Sequence, residues 1–233
     1  MRAVVAWLVA CAGPSLSGAV TDGEGRPVAG ATLALSTVCV GVTAADGTFY
    51  LPCAAGAYDV TVSAPGYLDA VAPVTLDGPV TLGPTRLIAL PTGDGSYLLD
   101  GHRFVPAARA GVTRVAADGP PRTKAFCVPA GAAGNDRPAG VVSMFRRKEG
   151  ELRAFRLDSD DCAHRSVWEA GEWKETSEPP IAVSERRLAY DASLITLDLT
   201  AGRWFIAEWD QGWFADEGAG DASSFPGFVV ETR

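Results

Sequence analysis

One stretch decides the fold of the first part of the chain: Leu16-Ser-Gly-Ala-Val-Thr-Asp-Gly-Glu-Gly-Arg-Pro-Val-Ala-Gly-Ala31. Its first apolar run ends at Val20. The following Asp22-Gly23-Glu24-Gly25 supplies glycines for the positive-φ positions that a tight connection needs. Pro27 suits the start or the edge of a second strand. The stretch therefore predicts a strand, a turn and a second strand.

The same alternation of turn signals and short strands continues along the next forty residues. It predicts a turn at Asp46-Gly47, a strand at Thr48-Phe-Tyr-Leu51, a turn at Ala54-Ala55-Gly56 and a strand at Tyr58-Asp-Val-Thr-Val-Ser63. Tyr58, Val60 and Val62 fall on one face of the last strand, because side chains alternate along a strand. The pattern predicts an all-β domain.

Four motifs in order resemble the carboxypeptidase regulatory-like domain, a transthyretin-like β-sandwich. They are Gly18-Ala-Val-Thr-Asp with Gly25-Arg-Pro-Val-Ala-Gly-Ala, Ala45-Asp-Gly-Thr-Phe, Gly56-Ala-Tyr-Asp-Val-Thr-Val and Ala64-Pro-Gly-Tyr. The resemblance implies an accessory module that supports, spaces or binds and brings no catalytic residues. An unrelated immunoglobulin-like sandwich is the alternative. We expect this domain to span residues 16–91.

Cys39 lies before the Asp46-Gly47 turn and Cys53 lies after it. If these segments form neighbouring antiparallel strands, the two thiols come within bonding reach. A disulfide that closes this loop stabilises the fold by about 3 kcal/mol in the chain-entropy model. Two buried free thiols are the alternative, which export from the cytoplasm disfavours.

The chain begins with a charged Met1-Arg2 and a short apolar run from Ala3 to Ala10, the order of a secretory leader. This run is far shorter than the roughly 20 residues of a membrane-spanning helix. Leu8-Val-Ala-Cys11 resembles the lipobox of bacterial lipoproteins. The resemblance implies removal of residues 1–10, acylation of Cys11, a tether over residues 11–15 and a membrane as partner. Ala12, the second residue after the implied cleavage, is not an aspartate, and by the same resemblance this implies the outer membrane.

An ordinary leader cleaved elsewhere, with Cys11 lost or free, is the alternative to the lipoprotein. The single charge and the short apolar run depart from the family pattern. Lipidation would account for the odd number of cysteines, 5 in all, since the other four can pair. Cys127 and Cys162 form the second expected pair.

The composition restricts the partners of the chain. Its 233 residues carry a formal net charge of −8, so a nucleic acid is not an expected partner. Glycine (26) and proline (16) break the chain into short runs, as in all-β proteins. We expect a transthyretin-like sandwich followed by a second β-rich, sandwich-like domain at residues 96–233, after a linker at residues 92–95.

The second domain resembles no family we recognise, but strand-like runs are plain. They are Ser96–Leu99, Arg103–Val105, Thr123–Val128, Val141–Phe145, Leu152–Leu157, Ser193–Leu199 and Trp204–Trp209. Leu152–Leu157 alternates charged and apolar residues, which predicts one wet face. Leu51…Gly56-x-Tyr58…Gly66-Tyr67 and Leu197…Gly202-x-Trp204…Gly212-Trp213 share their offsets, which suggests a hairpin of the same type in both domains.

The sequence contains no recognisable catalytic motif. His102 and His164 are isolated from further ligands, so neither a zinc site nor another cofactor is expected. The acidic run Asp158-Ser-Asp-Asp161 could hold calcium but lacks the glycine and glutamate of an EF-hand loop, and a solvated turn is the simpler interpretation.

Tryptophans are concentrated in the second domain. Trp168 and Trp173 flank a polar, loop-like stretch, which makes them candidates for an exposed ligand surface together with Trp209. Trp204 and Trp209 have opposite parity, so a regular strand points them to opposite faces.

These features together predict a non-enzymatic, envelope-anchored binding or scaffolding protein with a carbohydrate or protein partner. An envelope hydrolase with His102 or His164 in its site, and a carbohydrate-binding protein, are the alternatives.

Overall fold

The computed structural model describes residues 13–117, 123–129, 132–147, 151–157, 161–169, 172–175, 184–189, 192–209 and 225–233. Throughout these ranges the regular elements are β-strands, which confirms the all-β class. None of the described segments is a helix long and apolar enough to cross a bilayer. The chain divides into two compact units, Met1–Pro91 with Gly101–Arg103, and Thr92–Asp100 with Phe104–Arg233.

The first unit is built from short strands. They are β1 (Ser15–Thr21), β2 (Thr32–Ala34), β3 (Val40–Val42), β4 (Thr48–Pro52), β5 (Gly56–Ser63), β6 (Tyr67–Leu68), β7 (Ala70–Leu76), β8 (Pro79–Thr81), β9 (Thr85–Arg86) and β10 (Ile88–Ala89). One sheet has the order β4-β1-β8, with β9 also paired to β1. The other has the order β3-β2-β5-β7, and β6 pairs with β10.

The two four-stranded sheets form a sandwich. In β4 the buried Phe49 and Leu51 alternate with exposed residues, and in β5 Val60 and Val62 are buried. These residues join one core cluster with Leu16, Val20, Val28, Ala31, Leu33, Leu35, Cys39, Val74, Leu76 and Leu87. Both sheets contribute to it, so their inner faces pack on each other as in a β-sandwich.

The second unit has longer strands. They are β11 (Gly95–Asp100), β12 (Arg103–Pro106), β13 (Arg109–Ala117), β14 (Thr123–Cys127), β15 (Gly134–Arg137), β16 (Gly140–Arg147), β17 (Glu151–Arg156), β18 (Cys162–Glu169), β19 (Glu172–Glu175), β20 (Ser184–Ala189), β21 (Ala192–Leu199), β22 (Gly202–Trp209) and β23 (Phe225–Thr232). A five-stranded sheet has the order β12-β11-β16-β21-β20. An eight-stranded sheet has the order β17-β22-β23-β13-β14-β18-β19, with β15 paired to β23.

These two sheets also form a sandwich, which confirms the expectation that the second domain is β-rich and sandwich-like. The five-stranded sheet gives Leu98, Val142, Met144, Ile195, Leu197 and Leu199 to one core cluster. The eight-stranded sheet gives Leu152, Ala154, Trp204, Ile206, Phe228 and Val230 to the same cluster.

The part of the eight-stranded sheet formed by β17, β22 and β23 is buried on its other face as well. Phe155, Leu157, Phe205 and Val229 alternate with the residues of the first cluster and form a second cluster with Ala110, Val128 and Ala207. The expectation that β17 has one wet face is therefore wrong. Continuous apolar runs along β22 and β23 reflect this burial on both sides.

The predicted hairpins at the two glycine echoes are also wrong. β4 precedes Gly56 and β5 begins at it, but the two strands lie in different sheets. The same is true of β21, which precedes Gly202, and β22, which begins at it. Both connections are crossovers between the layers of a sandwich. Gly212 and Trp213 lie outside the described residues, so the end of the second echo is not compared.

Candidate functional site

Both expected disulfides are present. Cys39 bonds Cys53 with a Cα–Cα distance of 5.9 Å, and Cys127 bonds Cys162 with a Cα–Cα distance of 4.0 Å. Cys127 and Cys162 are direct partners in the β14–β18 register. Cys11, the predicted lipidation site, lies outside the described residues.

Cys39 and Cys53 are not on neighbouring strands of one sheet. β3 follows Cys39 and is the outermost strand of one sheet, whereas β4 precedes Cys53 and is the outermost strand of the other. The expected pairing was therefore right, but its geometric reason was wrong: the bond joins the two layers.

The segment around Trp168 and Trp173 is a pair of strands, not a loop. Trp168 lies in β18 and Trp173 in β19, and the two residues are direct partners in the antiparallel register. The structure describes the backbone alone at Trp168, Trp173 and Trp209, so the tryptophan surface stays a prediction. Trp204 is buried, and its indole N–H donates to the Thr200 carbonyl at 3.0 Å.

The histidines and the acidic run give no cluster among the described residues. His102 is exposed in a turn, and for His164 the backbone in β18 is described. Asp158–Asp160 lie outside the described residues. The Asp161 carboxylate accepts a hydrogen bond from the Arg203 guanidinium and is therefore already paired with a positively charged side chain. In the described part of the chain, no group of His, Cys, Asp and Glu is arranged to hold a metal ion.

The outer face of the five-stranded sheet is the most distinctive surface. Along β16, Val142 and Met144 point into the core, so Val141, Ser143 and Phe145 point to the opposite face. Tyr97 of β11 is the cross-strand partner of Phe145. We call this surface the aromatic face and define it by Tyr97, Phe104, Val141, Ser143, Phe145, Leu194, Thr196 and Arg186.

Three rings form the centre of the aromatic face. Phe145 is fully buried, with the Tyr97 ring centroid 6.2 Å away at 54° and the Phe104 ring centroid 5.7 Å away at 50°. Tyr97 and Phe104 are half-buried, so each keeps part of its surface accessible to solvent. The tilted arrangement is one that aromatic pairs prefer. Phe145 thus supports two rings that a ligand can reach.

Polar groups surround the rings. The register aligns Phe145 with Leu194, and Leu194 with the exposed Arg186, so one row crosses the sheet from aromatic to cationic. The next row aligns Ser143 with Thr196. The Arg147 guanidinium carbon lies 5.9 Å from the Phe145 ring centroid, within cation–π range. The face therefore offers apolar rings, hydroxyls and guanidinium groups on a single sheet.

The aromatic face was not predicted from the sequence. Its three rings come from three strands, and only their contact makes them a site. A signal was present nonetheless: Tyr97 and Phe104 alternate with Leu98 and Val105, which face the core. Two neighbouring strands that place an aromatic residue next to a core residue indicate a second apolar face.

Comparison with known proteins identifies one part of the chain. Residues 15–85 match the family model of the carboxypeptidase regulatory-like domain. The resemblance seen in the sequence is thus confirmed for the first unit, here called the regulatory-like domain. No curated protein matches the chain.

Solved structures give weaker likenesses. The chain is 25% identical to a cohesin–X-dockerin complex of Acetivibrio cellulolyticus over 33% of this chain and 58% of that chain, with a TM-score of 0.30. It is 12% identical to a candidate carbohydrate-binding protein of Bacteroides uniformis over 93% of this chain and 98% of that chain, with a TM-score of 0.27. It is 12% identical to a streptococcal ancillary pilin over 94% of this chain and 59% of that chain, with a TM-score of 0.26.

The chain spans less than two thirds of the cohesin–dockerin and pilin chains. TM-scores this low assign neither a ligand nor an activity.

Proposed function

We propose that the chain is an exported, non-enzymatic binding protein of the cell envelope. In this proposal residues 1–10 are a leader, and an acylated Cys11 with residues 11–15 tethers the protein to the outer membrane. Residues 16–91 form the regulatory-like domain, residues 92–95 a linker, and residues 96–233 the domain that presents the ligand surface. The two disulfides support export, because such bonds persist outside the reducing cytoplasm.

The aromatic face carries the proposal of binding. An aromatic ring that keeps one accessible side offers an apolar platform, and nearby hydroxyl and guanidinium groups fix the orientation of what lies on it. Tyr97 and Phe104 provide the rings, while Ser143, Thr196 and Arg186 provide the polar groups. A sugar ring has this same pairing of an apolar face with a hydroxyl rim. The proposed ligand is therefore a carbohydrate polymer.

Binding is tested with the purified protein on a panel of envelope and extracellular polysaccharides. We expect Tyr97→Ala and Phe104→Ala each to weaken binding of the selected polysaccharide at least about tenfold, because each removes a stacking ring. Tyr50→Ala is the matched control, since Tyr50 is a tyrosine of the regulatory-like domain that is 68% exposed. Equal binding by all three variants would exclude the aromatic face.

Two other outcomes separate this function from its rivals. Release of shortened sugars from the bound polysaccharide would favour the hydrolase alternative. Failure of every polysaccharide to bind would point to a protein partner or a structural role.

The tether is tested independently of the ligand. Cys11→Ser removes the only atom that the acyl chain could be attached to in this proposal, so the variant should leave the membrane fraction and appear in the soluble one. Persistence of the variant in the membrane pellet would reject the lipid anchor.

A further inference from the structure

One edge of the regulatory-like domain is apolar and exposed. Val38 is 93% exposed, Val40 50% and Val42 65%. We call these three residues the valine edge. Isolated exposed apolar residues are ordinary, but three at alternate positions of one segment at the edge of a sheet indicate a surface that contacts something other than water.

The backbone at this edge is open as well. Leu35 N–H donates to Cys39 O, and Thr43 N–H donates to Ala31 O, so the odd-numbered residues of this segment bond to β2. In an antiparallel pair the intervening residues turn their backbone groups outward. Val40 and Val42 therefore turn their backbone groups to the open edge of β3, which ends its sheet, and their exposed side chains lie on the outer face of the sheet beside that edge.

The chain enters the domain next to this edge. Pro14 O accepts a hydrogen bond from Cys53 N–H at 3.3 Å, and Cys53 is bonded to Cys39, the residue between Val38 and Val40. Cys11 precedes Pro14 by three residues. An extended segment of that length reaches at most about 11 Å. If Cys11 is acylated, the neighbourhood of the valine edge cannot lie far from the bilayer.

The charges of the domain define what kind of membrane contact is available. Between Gly13 and Pro91 the cationic residues are Arg26 and Arg86, and lysine does not occur. The acidic residues in the same range are Asp22, Glu24, Asp46, Asp59, Asp69 and Asp77. Attraction to anionic headgroups needs clustered Lys and Arg. Contact with a bilayer must therefore come from apolar burial, which is insensitive to salt.

We propose that the valine edge inserts into the interfacial layer of the membrane and holds the regulatory-like domain against it. The inference rests on the proposed lipidation of Cys11. The short tether brings the edge to the surface, and burial of Val38, Val40 and Val42 keeps it there. The domain then stays in contact with the membrane surface and does not move freely on its tether.

The test uses the full-length acylated protein in phosphatidylcholine vesicles, with and without bromine on the acyl chains. A tryptophan is placed by Val38→Trp, and the matched control is Val71→Trp. Val71 is 64% exposed and lies in β7, at the opposite end of the sheet from β3. The native tryptophans after cleavage all lie beyond residue 160, so the unsubstituted protein supplies the fluorescence to subtract.

We expect brominated lipid to quench the tryptophan at position 38 at least twofold more than the one at position 71, with no change between low and high salt. Equal quenching at the two positions, in a protein that still sediments with the vesicles, overturns the valine edge and leaves the lipid anchor standing. A protein that does not sediment with the vesicles overturns the anchor and the edge with it.

A lipid-free measurement separates the other occupants of the edge. In the difference spectrum between the Cys11→Ser proteins with and without Val38→Trp, the added tryptophan should emit as a solvated indole. A blue-shifted emission without vesicles overturns the proposal, because protein then covers the edge: a second copy if the shift grows with concentration, and the chain's own N-terminal segment if it does not.

Discussion

Cys39 and Cys53 tie together the outermost strands of two different sheets. Their Cα atoms are 5.9 Å apart, β3 starts immediately after Cys39, and β4 ends immediately before Cys53. Close to the bond the two strands also pack, since a Cβ added to Gly41 of β3 would lie 2.7 Å from Leu51 Cδ1 of β4. The disulfide thus closes one open side of the sandwich.

Removal of the Cys39–Cys53 bond should measurably lower the stability of the regulatory-like domain. Cys39→Ala with Cys53→Ala should lower the free energy of unfolding of the regulatory-like domain by about 3 kcal/mol, because the 14-residue separation no longer restricts the unfolded chain. Urea unfolding under non-reducing conditions measures the change. The control is the same titration of both proteins with reductant, where the two should have nearly equal stability because Cys127–Cys162 is then reduced in each. A variant within about 0.5 kcal/mol of the native protein would contradict the prediction.

A second prediction concerns Gly47, which closes the turn between β3 and β4. Its φ is +75°, and an added Cβ would lie 2.5 Å from Val20 O and 3.0 Å from Pro27 Cβ. Gly47→Ala therefore combines an unfavourable backbone conformation with a clash against backbone, and should destabilise the domain by about 3 kcal/mol.

Gly30 provides the matched control for this substitution. Its φ is +70°, but nothing lies within 4 Å of an added Cβ. Gly30→Ala should cost about 1 kcal/mol, the conformational part alone. Thermal unfolding of both variants gives the comparison, and equal losses would show that the close approach to Val20 has no role.

Local sequence signals predicted the regulatory-like domain well. The turn at Asp46-Gly47 and the face shared by Val60 and Val62 depend on residues close in the chain, and the structure confirms both. Local signals do not determine the sheet to which each strand belongs, because that depends on pairing with strands far away in the sequence. β4 and β5 follow one another across Gly56, yet they pair with distant strands, so sequence proximity wrongly suggested a hairpin.

The fold of the second domain was harder to predict from the sequence, because it too depends on contacts between distant residues. The sequence predicts one wet face for the strand that contains Phe155, but Phe155 is buried in a cluster with residues far away in sequence, such as Val128 and Val229. The aromatic face likewise depends on the register that sets Tyr97 beside Phe145. Alternation along one strand cannot reveal which distant residues cover it.

A third prediction concerns Arg203 of β22. Its guanidinium pairs with the Asp161 carboxylate, donates to Ala132 O at 2.7 Å, and has its Nε 3.5 Å from Glu231 Oε1. Arg203→Met keeps the aliphatic stem but leaves these acceptors without their cation. We expect a loss of about 2 kcal/mol, because Asp161 is only 26% exposed.

Arg203→Lys is the matched control, since it keeps the charge but loses the forked geometry that reaches two acceptors at once. Its stability should fall between those of the native protein and Arg203→Met. Chemical unfolding of the three proteins measures the order. A lysine variant no more stable than the methionine variant would mean that charge at this position contributes nothing.

The last prediction is a pH dependence set by Asp22. Its side chain is 3% exposed; Oδ1 accepts the Glu24 and Arg26 amides at 3.0 and 2.9 Å, and Oδ2 accepts Arg26 Nε–H at 2.7 Å. Burial alone would raise the pKa of this carboxyl. The hydrogen bonds and the charge of Arg26 outweigh burial, so the pKa lies below its usual value of 3.8.

A carboxyl whose pKa is lowered by folding stabilises the native state in its charged form. That contribution is complete above the unfolded pKa, near pH 4, and disappears as the pH falls through the lower folded value. Asp22→Asn retains an acceptor for the amides but loses the bond from Arg26 Nε. It should cost about 1 kcal/mol at pH 7, a small value because the Arg26 side chain is 71% exposed.

The difference in stability between the native protein and Asp22→Asn should therefore stay constant from pH 7 to about pH 5 and shrink below pH 4. Urea unfolding at a series of pH values measures it. Asp77→Asn, which removes an exposed carboxyl of the same domain, controls for the loss of one negative charge. A difference that grows on acidification would reverse the sign and show that Asp22 is held in its protonated form.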